Sequence, residues 1–180
     1  MNINACAITG HRPTRFRWKY NENANGCKRL KCRLKEQFAV LYDQGVRRFY
    51  IGGALGVDMC SGELLLELKE QPEYGKIELV LVLPFVGYDR DWEPDSRHRL
   101  SVLRQKSTEV IVVGQSENPP TDNYRLRNQY MVDHASCLLA VYDNNRQFRS
   151  GTMQTVNYAR RKGLPITLIH PDLATVDYEN

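Results

Sequence analysis

The chain has 180 residues, of which 42% are hydrophobic and 26% are charged, and its formal net charge is +4. This length and composition are typical of a globular protein with a buried core, and they exclude a disordered or fibrous chain. No apolar run approaches the roughly 18 residues of a membrane-spanning helix, and the N-terminal residues lack the basic segment of a signal peptide. We therefore predict one domain over residues 1–180, located in the cytoplasm and without a membrane partner.

Apolar runs alternate with amphipathic runs along the whole sequence. The first strand is predicted at residues 3–9, and a helix follows at 26–44, where Leu30, Leu34 and Phe38 fall on one face. Further strands are predicted at 47–52, 77–83, 109–113, 137–142 and 165–169, and further helices at 57–70, 95–106, 123–135 and 152–162. The tail from Pro171 is predicted to be irregular.

Strands separated by single helices form right-handed βαβ units. The predicted fold class is therefore α/β, a Rossmann-like three-layer α/β/α arrangement with a mainly parallel sheet of about six strands. In such a sheet a ligand binds beyond the carboxyl ends of the strands, near a change in strand order. All the unusual loops follow strands, so we expect them along this one edge: 9–13, 52–58, 84–92, 114–123 and 143–152.

A glycine-rich corner follows the second strand, where Gly52, Gly53 and Gly56 precede Asp58 at the start of a helix. Glycines at such a corner expose backbone N–H groups, and the helix dipole attracts an anion to them. The pattern matches neither the dinucleotide fingerprint nor a Walker A loop. Tight strand–helix packing is the alternative explanation for the glycines. Asp58 either accepts a hydrogen bond from a ribose hydroxyl or complements its own helix.

A second corner, formed by Ser150, Gly151 and Thr152, opens the last helix after a polar loop. Either hydroxyl can cap this helix, or a phosphate can bind the free amides in place of the cap. Two corners of this kind in one small α/β chain predict a pocket for a phosphate-bearing small molecule.

Polar side chains at the same predicted edge add to this site. Thr9 offers a hydroxyl, Gly10 permits a close backbone approach, and Arg12 can bind a phosphate with two parallel hydrogen bonds. Arg127 and Asn128, near the start of another helix, can hold a phosphate together with a base or a ribose. The alternatives are an ordinary turn for the first group and a solvated helix face for the second.

The basic residues are concentrated in residues 12–35, where nine of them accompany one acid, Glu22. This segment carries +8, and the remainder of the chain therefore carries −4. A basic block binds nucleic acid or an anionic ligand, or it forms a solvated helix face. For the lysines the solvated face is the preferred interpretation.

The sequence has five cysteines, at positions 6, 27, 32, 60 and 137, and no CxxC pair. Zinc sites need tighter clustering or histidines nearby. We therefore expect buried free thiols and no metal site.

The glycine segment 52–58 resembles the glycine motif of the SLOG superfamily, which is named for the Smf/DprA and LOG proteins. The segment 150–152 resembles the second, Gly-Thr phosphate motif of that superfamily. Segments 9–13, 127–133 and 138–143 resemble its YpsA-like branch, so that the resemblance extends from about residue 5 to residue 170. It implies a Rossmann-like fold, a nucleotide or nucleotide-derived ligand such as NAD or ADP-ribose, a homodimer, and a bacterial or phage origin.

The sequence departs from the LOG pattern at one position. LOG proteins are phosphoribohydrolases that carry a Pro-Gly-Gly-x-Gly-Thr-x-x-Glu stretch whose glutamate is catalytic. Thr155 occupies the position of that glutamate here, so no general acid or base stands where the hydrolysis needs one. Asp58 and Glu63 are weak catalytic candidates in its place.

The leading hypothesis is a sensor or sequestering protein that binds a nucleotide-like ligand and requires no cofactor. The second is a phosphoribohydrolase or N-glycosidase-type enzyme acting on nucleoside phosphates. The third, ranked lowest, is single-stranded DNA binding of the DprA type, which weakens steeply with salt. A small nucleotide ligand and a second copy of the chain are thus the expected partners, and nucleic acid is the less favoured one.

Overall fold

The computed structural model describes residues 4–145, 147 and 149–180. Strands and helices alternate along the chain as predicted, and their ends lie within about three residues of the predicted ones. The strands are β1 (Ala5–Gly10), β2 (Arg48–Ile51), β3 (Glu78–Leu83), β4 (Glu109–Val112), β5 (Cys137–Val141), β6 (Ile166–Ile169) and β7 (Val176–Glu179). The helices are α1 (Asn25–Asp43), α2 (Val57–Lys69), α3 (Pro94–Lys106), α4 (Pro120–Asp133) and α5 (Gly151–Arg161). Residue 3, where the first strand was predicted to begin, lies outside the described residues.

One seven-stranded sheet organises the molecule, with the strand order β4-β3-β2-β1-β5-β6-β7. The pairs are parallel except β6 with β7, and in the centre Ala7 of β1 pairs with both Tyr50 of β2 and Leu138 of β5. The chain thus builds outward from β1 to β4 and then returns to add β5 on the other side of β1. This change of direction between β1 and β5 is where an open α/β sheet forms a ligand crevice.

Helices cover both faces of the sheet. Strand residues such as Ile8 pack with Phe38 and Leu65 on the side of α1, α2 and α3. The alternate strand residues, such as Ala7, pack with Val156 on the side of α4 and α5. The predicted three-layer, mainly parallel α/β fold is confirmed. Among the described helices, none combines the length and the apolar character that crossing a membrane requires.

The prediction of an irregular tail is wrong for residues 176–179. They form β7, which pairs antiparallel with β6, and Glu179 binds the guanidinium of Arg160 at 2.7 and 2.9 Å. Four residues with two apolar side chains give too short a periodic signal to indicate a strand. The long-range pairing with β6 makes this segment a strand.

Candidate functional site

A pocket of about 420 Å³ lies at the carboxyl ends of β1 and β5, at the change in strand order. This volume is within the range of small-molecule sites. Four segments line it: the end of β1 with the loop after it, the β2–α2 corner, the middle of α4, and the β5–α5 loop. Nine of the predicted ligand-binding residues line this pocket: Thr9, Gly10, Arg12, Asp58, Arg127, Asn128, Ser150, Gly151 and Thr152.

The three other predicted residues, Gly52, Gly53 and Gly56, lie beside the pocket and do not line it. A side chain at Gly52 would overlap the guanidinium of Arg127. Gly53 and Gly56 have positive φ angles of 65° and 92°, and a Cβ at Gly56 would lie 2.6 Å from the carbonyl oxygen of His11. Close packing therefore explains these glycines, and they position the pocket rather than face it.

The floor of the pocket is a buried pair of opposite charges. Nη1 of Arg127 lies 3.6 Å from Oδ2 of Asp58, and the side chains are 6% and 8% exposed. Arg127 also donates a hydrogen bond to the carbonyl oxygen of Gly52, and Asp58 accepts one from the amide of Ala54 at 3.3 Å. Burial raises the pKa of Asp58, and the Arg127 charge partly offsets this.

One nitrogen of the Arg127 guanidinium, Nε, is buried and has no hydrogen-bond partner among the described residues. Burial lowers the pKa of Arg127, and the charge of Asp58 opposes that shift. Since a buried guanidinium donor is costly to leave unpaired, this atom is the strongest sign of a missing acceptor in the pocket.

The start of α5 forms one wall. Ser150 is the N-cap, and its hydroxyl accepts a hydrogen bond from the amide of Met153 at 3.1 Å. The amides of Gly151 and Thr152 precede the first helical hydrogen bond, and both residues line the pocket. The serine cap and a bound anion are therefore compatible, because they use different amides.

Arginine and aspartate residues decide the charge of the pocket. Arg15 is paired with Asp143, whereas Arg12 is exposed and has no acidic partner in the part of the chain that the structure describes. The charged lining residues are three arginines and two aspartates, so the pocket is net positive by one charge. It is thus suited to an anion.

His11 is a buried residue of the lining that the sequence did not single out. Its Nε2 has no hydrogen-bond partner among the described residues. Burial, followed by the charge of Arg15, lowers the pKa of His11, so the ring is neutral at pH 7. A neutral imidazole can donate or accept a hydrogen bond toward a ligand.

Sequence reasoning also missed lining residues that had a usable signal. Tyr124 is three residues before Arg127 and four before Asn128, and this spacing puts all three on one face of α4. The Tyr124 ring centroid lies 5.2 Å from Cζ of Arg12 and 5.8 Å from Cζ of Arg127. Tyr142, at the carboxyl end of β5, was detectable from its position alone.

Other candidates are placed elsewhere. The carboxylate of Glu63 is held by Arg99 at 2.7 Å on both oxygens and does not line the pocket. Tyr88, from the loop after β3, is buried, donates to the carbonyl oxygen of Gly53 at 2.7 Å and packs on Trp92. It fills the sheet edge instead of opening onto the pocket.

One group outside the pocket has the donor atoms of a metal site. The ligand atoms of Glu22, Cys60 and Glu63 lie within 4.8 Å of one another. Lys31 and Arg99 already bind the two carboxylates at 2.5 to 2.7 Å. Burial raises the pKa of the Cys60 thiol to about 12. The two basic side chains therefore hold the carboxylates that a metal ion would need.

The family assignment follows from a match over nearly the whole chain. The model of the YspA SLOG family matches residues 6–174, which include every segment that lines the pocket. The chain belongs to the YspA SLOG family. The predicted membership of the SLOG superfamily, in its YpsA-like branch, is thereby confirmed.

Bacterial relatives of this SLOG chain have similar lengths. It is 25% identical over 157 residues to a UPF0398 protein of Bacillus thuringiensis (strain Al Hakam), covering 87% of this chain and 83% of that protein. A UPF0398 protein of Bacillus cereus (strain G9842) is 25% identical over 158 residues, with the same coverage.

A solved structure shares the fold of this SLOG chain. DNA processing protein A from Helicobacter pylori, whose single-stranded DNA binding mode is described, superimposes with a TM-score of 0.58 at 14% identity. The match covers 93% of this chain, which spans 65% of the length of that protein. At this identity the likeness supports the Rossmann-type fold and nothing finer.

Proposed function

We propose that the protein binds a nucleotide or nucleotide-derived small molecule in the pocket between β1 and β5, as a sensor or sequestering protein. The observation that carries the proposal is the unpartnered Nε of Arg127, which is buried in a pocket also lined by the first turn of α5. Two independent sources of attraction for an anion thus line one cavity.

The phosphate is assigned to the start of α5. The amides of Gly151 and Thr152 supply donors there, and the positive end of the helix dipole favours negative charge. Arg12, exposed at the rim, adds a guanidinium that can bind phosphate with two parallel hydrogen bonds. A phosphate oxygen that reaches Nε of Arg127 would satisfy its unused donor.

The ribose and the base are assigned to the α4 side of the pocket. Asn128 presents an amide with both donors and an acceptor, and Tyr124 presents a ring to a flat base. Asp58 accepts hydrogen bonds at the floor, as a ribose hydroxyl requires. The pocket therefore offers separate surfaces for the three parts of a nucleotide.

Hydrolysis has less support than binding. Thr155, at the position of the LOG glutamate, donates its hydroxyl to the carbonyl oxygen of Gly151 at 2.9 Å. It supplies no acid or base. Arg99 binds the carboxylate of Glu63 away from the pocket. Of the two catalytic candidates, Asp58 therefore lines the pocket and Glu63 does not, and Asp143 lines it as well.

Single-stranded DNA binding is the second candidate, favoured by the likeness in fold to DNA processing protein A. The basic segment 12–35 gives it limited support. Five of its nine basic side chains contact acidic groups or backbone carbonyls: Arg15, Arg29, Lys31, Arg33 and Lys35. Three acids outside those counted in the segment's net charge, Glu36, Glu67 and Asp143, offset part of its +8 charge. A small ligand remains the better match.

Thermal unfolding with AMP, ADP, NAD, ADP-ribose and a single-stranded oligonucleotide tests both candidates. A ligand at 100 times its dissociation constant adds about 2.7 kcal/mol, which corresponds to a rise of about 5 to 10 °C for a domain of this size. Arg12→Gln should reduce the rise, and Arg97→Gln, an exposed arginine on α3, is the matched control. Unchanged midpoints with every mononucleotide and dinucleotide would contradict the small-ligand proposal. A salt-sensitive shift with the oligonucleotide alone would favour DNA.

A further inference from the structure

A second cavity, a groove of about 310 Å³ between α4 and α5, adjoins the pocket. Asn128 lines both cavities, so its side chain lies at the border between them. Among the described residues, three arginines and no acidic residue line the groove: Arg125 on α4, Arg149 before α5 and Arg161 at the end of α5. The groove is therefore the more strongly basic of the two cavities.

The charges of these arginines are not compensated by the protein. Arg149 and Arg161 have no acidic partner among the described residues, and Arg125 has one exposed contact of 3.3 Å with Asp122. An exposed pair of this kind contributes little.

The two basic residues beside Arg161 in the sequence have acidic partners. Arg160 is paired with Glu179 at 2.7 Å, and Lys162 with Asp133 at 2.7 Å. Arg161, which lies between them, has no acidic partner in the described part of the chain. Like charges gathered in a groove attract an anion from outside the chain.

The groove extends along α5 from the start of the helix toward its end. Gly151, at the phosphate position, and Arg161 are ten residues apart on α5. At 1.5 Å per residue they are separated by about 15 Å along the helix axis. A ligand anchored at the start of α5 must be extended to reach Arg161.

We propose that this groove is a second anion subsite and that the ligand carries at least two phosphate groups joined through a nucleoside. The inference rests on the proposed function, since it extends the same ligand beyond the first phosphate. Guanidinium groups suit this role because they bind phosphate with two parallel hydrogen bonds and keep their charge. A free dinucleotide and the end of a nucleic-acid strand share this chemistry.

Calorimetric titration with AMP and with the 5′-phosphorylated dinucleotide pApA tests the subsite. We expect pApA to bind about tenfold more tightly than AMP, because each added charge-assisted contact contributes enough for such a factor. In the double variant Arg125→Gln/Arg161→Gln the two ligands should bind equally, with AMP affinity unchanged. Both side chains are exposed, so the fold should tolerate their replacement. Arg97→Gln is the matched control and should keep the preference for pApA.

The outcomes separate this inference from the proposed function. Equal binding of AMP and pApA by the unaltered protein would overturn the second subsite while leaving nucleotide binding intact. A double variant that keeps the full preference for pApA would also overturn it. Binding of neither ligand would overturn the proposed function and the subsite together. A 5′-phosphorylated decamer distinguishes a free dinucleotide from the end of a nucleic-acid strand as the ligand. A site for a strand end binds the decamer as tightly as pApA, whereas a site for a dinucleotide excludes it. Both results support the second subsite.

Discussion

Arg127 on α4 and Asp58 on α2 lie 3.6 Å apart, Nη1 to Oδ2, although their helices cover opposite faces of the sheet. They meet at the carboxyl edge of the strands, where both side chains are more than nine-tenths buried. The pair joins the two helical layers directly beneath the pocket. Stability and the proposed ligand binding therefore involve the same two residues.

Replacing one member of this pair should be costly. Arg127→Gln leaves the Asp58 carboxylate buried without its counter-charge, so we expect a loss of about 3 to 5 kcal/mol in the free energy of unfolding. Urea unfolding of this variant, of Asp58→Asn and of the double variant completes a cycle. The double variant should lose less than the sum of the single losses. Additive losses would show that the two groups do not interact.

The protonation of Asp58 should make the free energy of unfolding depend on pH. Burial raises its pKa in the folded state, so the folded protein binds this proton more tightly than the unfolded chain. The contribution of the Asp58 proton to the free energy of unfolding is fully present below the unfolded pKa of about 4, and it is lost as the pH rises through the folded pKa. Relative to Asp58→Asn, the unaltered protein should therefore lose stability as the pH rises above the unfolded pKa of about 4. Urea unfolding at several pH values measures this difference, and an opposite slope would contradict it.

Glycines at the pocket and glycines away from it should differ sharply in their tolerance of alanine. A Cβ at Gly52 overlaps the Arg127 guanidinium, so Gly52→Ala should cost several kcal/mol, on the order of a disrupted buried charge pair. At Gly163, φ is 69° and nothing lies within 4 Å, so Gly163→Ala should cost only about 1 to 2 kcal/mol of backbone strain.

Gly151→Ala is the third member of this comparison. Its Cβ meets only Nδ2 of Asn128 at 3.8 Å, so stability should be retained. Thermal unfolding of the three variants gives the order, and a Gly52→Ala variant as stable as Gly151→Ala would contradict the close packing at Arg127.

Thiol reactivity should identify one cysteine. Cys32 is exposed, whereas Cys6, Cys27, Cys60 and Cys137 are buried. Burial further raises the pKa of Cys60 to about 12, which suppresses its reactive thiolate. At about pH 8, which is close to the pKa of an ordinary free thiol, a thiol reagent should therefore modify one cysteine rapidly. Cys32→Ser should remove this fast phase, and a fast phase that persists in that variant would contradict the assignment.

Much of the site could be predicted because local signals fall on the right segments. Gly151 and Ser150 mark the start of α5 by their residue types, and Arg12 follows a strand of clear apolar character. Tyr124 was missed although its helical spacing from Arg127 was visible. His11 had no such signal, because nothing in its neighbours indicates burial against the pocket.

The sequence by itself determined the alternation of strands and helices, the edge of the sheet that carries the polar loops, and the two glycine corners. These features follow from periodicity and backbone freedom, which act over a few residues. Only the tertiary structure placed β1 between β2 and β5, paired Arg127 with Asp58, and paired Arg15 and Lys35 of the basic segment with distant acids. Strand order and ion pairing join residues far apart in the chain, so their free energies depend on the assembled fold and leave no local pattern.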